Sequence, residues 1–135
     1  MLLKIVSKLL RRKKRLKNLL PQIFRKRLII EGFYEANINK EFIKKFLKDL
    51  SDFLKMNVIT EPLIFSPEEK SDVHKGLGGF MAWVESGVAL YTWSIYKFFT
   101  LDIYSCKDFN LEETVTFIKK YLKASKLVYE EIKYS

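Results

Sequence analysis

The chain has 135 residues, enough for one ordinary domain and too few for two. Its apolar content of 48% and aromatic content of 15% exclude a disordered chain, and no apolar run reaches the roughly 18–20 residues that span a bilayer. The net charge of +9 belongs to the first 27 residues, which hold 11 Lys/Arg and no Asp/Glu, while the remainder holds 14 basic and 16 acidic residues, a net charge of −2, and so lacks the excess of basic residues expected of a nucleic-acid-binding body.

Residues 1–26 read as a basic amphipathic N-terminal arm, and residues 27–135 as the folded domain. In the arm Leu2, Val6, Leu9 and Leu10 fall on one helical stripe beside the basic run Arg11 to Arg15. Pro21 is expected to end that helix. Three partners suit such a segment: a docking protein surface or plain solvent, an anionic membrane surface, or nucleic-acid phosphates. Its basic residues interrupt the apolar stretch rather than precede it, which is not the layout of a secretory signal. A single cysteine, Cys106, cannot form an internal disulfide, so a cytoplasmic location is expected.

Residues 27–33, RLIIEGF, predict the first strand of the body. Residues 40–54 predict a helix with one apolar face built from Phe42, Ile43, Phe46, Leu47, Leu50, Phe53 and Leu54. Asn39 is its expected N-cap, with Ile38 and Ile43 placed for a hydrophobic staple. Residues 57–65 predict an edge or irregular strand, because Pro62 lies inside it. A polar loop, residues 66–75, leads to Gly76-Leu77-Gly78-Gly79, whose glycines suggest a permissive backbone. Residues 80–84 and 88–93 read as two apolar strands separated by Glu85-Ser86-Gly87, and residues 96–106 as another strand. Asn110 is expected to cap a second helix over residues 111–122, with Glu113 at the capping-box position. Residues 126–132 predict a last strand with Leu127, Tyr129 and Ile132 as its apolar members. The expected order β-α-β-β-β-α-β implies an α+β fold, a two-layer sandwich of a mainly antiparallel sheet with two helices on one face. Period-2 alternation groups Ala89, Tyr91 and Trp93 on one side of their strand, and Asp102, Tyr104 and Cys106 on one side of theirs. If that side faces away from the helices, it mixes aromatic and polar groups, as a ligand site or a dimer interface does.

The run VESGVALYTWSIYKFFTLDIYSC interrupts an apolar sheet with a carboxylate, a hydroxyl and a bare backbone. Read alone, Ser86 is a turn residue and Cys106 a small buried apolar one. Read together, Gly76-Leu77-Gly78-Gly79, Glu85-Ser86-Gly87, Tyr91-Thr92-Trp93 and Asp102-Ile103-Tyr104-Ser105-Cys106 resemble the prokaryotic S-adenosylmethionine decarboxylases, small self-processing pyruvoyl enzymes of polyamine synthesis. The interval from Ser86 to Cys106 fits that family, and RLIIEGFYEA is similar to its first strand. The resemblance covers residues 27–134 and leaves the arm unexplained.

The resemblance implies that Ser86 attacks the carbonyl of Glu85, that the chain breaks between them, and that Ser86 becomes a pyruvoyl group. That group would take a small-molecule amino-acid substrate as a Schiff base, with Cys106 reprotonating the product carbon. The resemblance also implies a homodimer and assigns Glu31 to substrate contact or processing. It puts Tyr91 at the family's processing histidine, Gly78 at its active-site serine, Gly87 at the histidine after the cleaved serine, and Ser94-Ile95 at its Pro-Glu. The expected catalytic residues are therefore Ser86, Cys106, Glu85 and Tyr91, and the expected substrate-binding residues Glu31 and Gly78, with no metal. A neutral tyrosine is roughly 4 kcal/mol from serving as a base at pH 7, but its hydroxyl can steady an oxyanion. The sole histidine, His74, is either an exposed loop residue or a base that swings in. The other class of function is a non-catalytic relative that binds a ligand, regulates a partner or dimerises.

Overall fold

The structure is a computed structural model that describes residues 1–4, 15–67 and 70–135. Its elements are Lys26–Tyr34 (β1), Lys40–Phe53 (α1), Leu63–Phe65 (β2), Gly78–Trp83 (β3), Ser86–Trp93 (β4), Phe98–Ser105 (β5), Leu111–Leu122 (α2) and Ala124–Ile132 (β6). Four strands separate the helices, matching the four segments read from the sequence, whereas the expected order β-α-β-β-β-α-β counts one too few. The strands form one sheet in the order β2-β3-β4-β5-β1-β6, with every neighbouring pair antiparallel.

Alternation decides which sheet face is buried. Leu28 and Ile30 of β1, Val88 and Leu90 of β4, and Leu101 and Ile103 of β5 are all at most 1% exposed. They pack against Ile43, Phe46, Leu47 and Leu50 of α1 and Val115, Ile118 and Leu122 of α2. This is the α+β two-layer arrangement, with both helices on one face. Ile29, Phe33, Phe80, Tyr91 and Val128 fall on the opposite, outer face and stay exposed.

Both helices begin where a local polar side chain satisfies an orphan donor. The Phe42 N–H donates to Asn39 Oδ1 at 2.7 Å, and the Glu113 N–H to Asn110 Oδ1 at 2.9 Å. Inside the core, Trp83 Nε1 donates to Ser51 Oγ at 2.8 Å, and that hydroxyl donates onward to Leu47 O at 2.6 Å. Ser51 is fully buried, so it joins β3 to α1 by the one polar link that satisfies the indole N–H.

The glycines of residues 76–79 serve close approach rather than unusual dihedrals. No glycine has a positive φ. A Cβ on Gly79 would stand 2.6 Å from Ile43 Cγ2 and 2.8 Å from Leu47 Cδ1, so its absence lets α1 lie against β3. The segment 57–65 is irregular, as Pro62 implies: Val58 makes an isolated bridge to Trp83, and regular pairing is confined to the edge strand β2. In β6, Leu127 and Tyr129 stand opposite Gly32 and Ile30, whereas Ile132 pairs with Arg27 and so has the opposite parity.

The helix expected to run to Pro21 is not present over residues 15–20. Leu16 is already paired in parallel with Tyr134; the Ser135 N–H donates to Leu16 O at 2.9 Å and the Asn18 N–H to Ser135 O at 3.2 Å. The C-terminal backbone thus captures this stretch in extended form. Val6, Leu9, Leu10 and Arg11 to Lys14, the centre of the expected amphipathic helix, lie outside the described residues, as do residues 68–69 of the polar loop. Among the described residues no helix is long and apolar enough to cross a membrane.

Replacing Ser51 by Ala leaves the buried Trp83 N–H without an acceptor. The expected loss is about 1–3 kcal/mol of unfolding free energy, read from urea denaturation followed by tryptophan fluorescence. A loss below about 0.5 kcal/mol would mean that the indole finds another partner.

Candidate active site

Trp83 pairs with Ser86 across the β3–β4 hairpin, leaving Val84 and Glu85 as a two-residue loop. The favoured two-residue turns place positive φ on a loop residue and commonly use glycine there. Here the positive φ falls on Ser86, at 134°, and not on Val84 or Glu85. A non-glycine residue held in this region stores about 1–3 kcal/mol of strain. The glycine stands one position later. Gly87 is there because a Cβ would come within 2.7 Å of Met81 O on the neighbouring strand.

Hydrogen bonds on both sides keep the turn in this shape. The Val84 N–H donates to Asn57 O at 2.8 Å. The Asn57 N–H donates to Glu85 Oε1 at 2.8 Å, and Asn57 Nδ2 donates to Glu85 Oε2 at 2.7 Å. Glu85 is buried. The Asn57 main-chain N–H, then its side-chain amide, hold the Glu85 carboxyl below the usual carboxylate range. On the other side, the Cys106 N–H donates to Glu85 O at 2.8 Å. That N–H is aimed by Ser105, whose buried Oγ donates to Lys107 O at 2.7 Å and accepts from Lys107 N–H at 2.9 Å, turning the chain as β5 ends.

The peptide between Glu85 and Ser86 therefore combines a strained serine with a carbonyl that already accepts a main-chain donor. A hydroxyl adding to that carbonyl would put negative charge on the same oxygen. Ser86 and Gly87 border a hollow of about 270 Å³, with Phe80, Ala89, Asp102 and Tyr104 around it. The Arg27 guanidinium lies over the Tyr104 ring, 3.9 Å from its centroid, and Arg27 Nε donates to Tyr134 Oη at 2.9 Å. Cys106 is exposed at the edge of this turn and is not disulfide-bonded.

Strand register divides the six residues singled out from the sequence into two sets. Glu85, Ser86 and Cys106 meet at one end of the sheet. Gly78, Tyr91 and Glu31 lie in another row, in which Gly78 pairs with Tyr91, Tyr91 with Thr100, and Thr100 with Glu31. Five residue steps along β4 separate Tyr91 from Ser86, about 17 Å at the rise of a strand. Within one copy of the chain, Tyr91 does not reach Ser86. It packs on Phe65, 5.2 Å between centroids. A Cβ added at Gly78 would meet the Phe65 ring, so a serine there would require that ring to move aside. Glu31 borders a separate shallow groove of about 200 Å³ with Ile29, Val128, Tyr129 and Glu130. His74 also sits at the Tyr91 end, stacked on Trp93 at 4.2 Å and 5°, with Nε2 3.3 Å from Thr92 O.

Asn57, Asp102, Tyr104 and Arg27 were missed as site residues. Asp102 and Tyr104 were legible in part, since alternation puts them on one side of their strand. Asn57 carries no such signal: its partner lies 28 residues further along.

The chain is similar to known proteins over residues 28–134 and, in structure, over 81% of its length. The family model described as S-adenosylmethionine decarboxylase matches residues 28–134. The crystal structure of the adenosylmethionine decarboxylase from Aquifex aeolicus VF5 superposes with a TM-score of 0.63 at 16% identity, covering 81% of this chain and 88% of that one. At that identity the likeness speaks for the fold. No curated protein matches the chain with significance.

The strain at Ser86 can be weighed with two variants that both lack the hydroxyl. Ser86→Gly is expected to exceed Ser86→Ala in stability by about 1 kcal/mol, because only glycine relaxes at positive φ. Guanidinium unfolding of the two intact chains measures the difference, and equal midpoints would show a relaxed turn.

Proposed function

Because the chain belongs to the S-adenosylmethionine decarboxylase family, we propose that it is a pyruvoyl-dependent amino-acid decarboxylase that activates itself by breaking the bond between Glu85 and Ser86. The substrate is S-adenosylmethionine, in polyamine (spermidine) biosynthesis, or another amino acid such as arginine or ornithine suited to the altered residues around Gly78 and Tyr91. The observation that carries the reading is the pairing of a left-handed Ser86 with a Glu85 carbonyl held by the Cys106 N–H at 2.8 Å.

The chemistry follows from those atoms. Ser86 Oγ adds to the Glu85 carbonyl carbon, its proton passes to the Ser86 nitrogen, and the C–N bond breaks, leaving an ester and a free amine. The Cys106 N–H steadies the oxygen while it is negative. Removal of the Ser86 α-proton then breaks the Cβ–Oγ bond and releases Glu85 as a chain-terminal carboxylate. The enamine left on residue 86 tautomerises and takes up water, losing ammonia and leaving a ketone. A pyruvoyl group of this kind supplies an electrophilic carbonyl that takes the substrate amine and draws off electrons as carbon dioxide departs. The Cys106 thiol, beside the same turn, donates the proton that replaces the lost carboxylate. Asp102, on the hollow that Ser86 borders, opposes the remaining positive charge of the substrate, the sulfonium of S-adenosylmethionine or the side-chain cation of arginine or ornithine.

We also propose a homodimer that covers the outer face, supported by the exposed Ile29, Phe33, Phe80 and Val128 there. The basic arm then remains for a membrane surface or nucleic acid. Two observations favour a second reading, a non-catalytic relative that keeps the fold: the sole histidine, His74, stacks on Trp93 away from Ser86, and the Phe65 ring lies where a Gly78 side chain would go.

Two experiments separate these readings. Purified protein should sediment as a dimer and resolve, on a denaturing gel and by intact mass, into residues 1–85 and a blocked 86–135 that reacts with phenylhydrazine. Ser86→Ala should stay whole. An uncut, unreactive wild-type chain after prolonged incubation would establish the non-catalytic reading. Cys106→Ala should still cut itself, since the donor to Glu85 O is main chain, but decarboxylate about 10²–10⁴-fold more slowly. Equal turnover would remove the thiol from the mechanism.

A further inference from the structure

We propose that Asn57 is the positioning residue for self-cleavage: by gripping both oxygens of the Glu85 side chain it fixes the two-residue loop and thereby holds Ser86 at positive φ. The inference rests on the self-cleaving reading above and adds to it the residue that sets the geometry of the step.

Asn57 is itself rigidly mounted. α1 closes with Lys55 in the left-handed region, at φ 56°, and the Met56 N–H returns to Ser51 O at 2.9 Å. Lys107 Nζ donates to Lys55 O at 2.6 Å, which ties the helix end to the stretch that follows Cys106. From this mount Asn57 spends three of its four polar groups on Val84 and Glu85: its carbonyl accepts from Val84, and its N–H and amide nitrogen each hold one carboxylate oxygen. Three bonds from one residue to the two loop residues leave that loop little freedom. The residue that follows it must absorb the turn, and that residue is Ser86.

The same bonds assign Glu85 its part. A carboxylate with both oxygens occupied and its acidity raised is a weak base. Glu85 therefore acts as a tether for the loop rather than as the acceptor of the Ser86 proton. The tether needs the anion, because a protonated carboxyl offers one of the two Asn57 donors a poorer acceptor.

The experiment follows the cutting of freshly made chain against pH for the wild type, Asn57→Ala and Asn57→Asp. Asn57→Ala should cut about tenfold or more slowly and lose rate on acidification at a higher pH than the wild type, because the Glu85 carboxyl returns toward its ordinary range. Asn57→Asp opposes two carboxylates. It should fail near pH 7 and gain on the wild type as the pH falls far enough for the pair to share one proton. A purely structural role predicts the same deficit at every pH. In the uncleavable Ser86→Ala chain, the NMR titration of Glu85 should move up when Asn57 becomes Ala. Cutting that ignores both substitutions, or a Glu85 titration that does not move, overturns this inference while the decarboxylase reading stands. A wild-type chain that never cuts overturns both.

Discussion

A serine backbone held at positive φ is the constraint around which the rest of the molecule is arranged. Alone, a hairpin of this sequence would relax by moving the dihedral onto another residue. It is prevented from doing so by anchors drawn from distant parts of the chain: Asn57 beyond the end of α1, and the Cys106 N–H where β5 ends. Gly87 adds the close contact with the Met81 carbonyl. Each anchor needs the sheet in register and α1 seated on it. The Trp83–Ser51 bond and the missing Cβ of Gly79 secure that seat. Strain of about 1–3 kcal/mol is a sizeable share of a domain's net stability, so the scaffold must be packed well enough to carry it.

Features that depend on near neighbours were legible before the structure. The apolar stripe of α1, the caps at Asn39 and Asn110, and the edge character that Pro62 imposes on residues 57–65 all follow from spacing over a few residues. Features that depend on pairing over long separations were not. Nothing local reveals that Tyr91, Gly78 and Glu31 share one row of the sheet while Glu85, Ser86 and Cys106 gather at its other end. The glycines misled in an instructive way, since residue type announces freedom of φ whereas these positions supply room for neighbouring atoms. The dihedral that glycine would ease was given to the serine beside it. Leu16 shows the same limit from another side. Its amphipathic neighbourhood favours helix, but the backbone of Tyr134 and Ser135 offers it a partner that no window of sequence contains.

The departures from the family's pattern are matched by local compensations. Where the resemblance would put a serine, Gly78 makes way for the Phe65 ring, which in turn packs on Tyr91. Where it would put a histidine, Gly87 admits the carbonyl of Met81. His74 is engaged in a stack on Trp93. Positions to which the resemblance assigns polar groups serve here as packing positions. The polar contacts at the Ser86 turn come chiefly from main-chain atoms and from Asn57, and main-chain donors survive changes of side chain.

The strand order β2-β3-β4-β5-β1-β6 bears on what a single break in the hairpin would leave behind. The piece before the break contributes β1, β2 and β3; the piece after it contributes β4, β5 and β6. Since β1 is flanked by β5 on one side and β6 on the other, the two pieces are woven through each other rather than laid side by side. Severing one covalent link would therefore free a new chain end without loosening the weave. The halves could part only by unravelling the whole sheet.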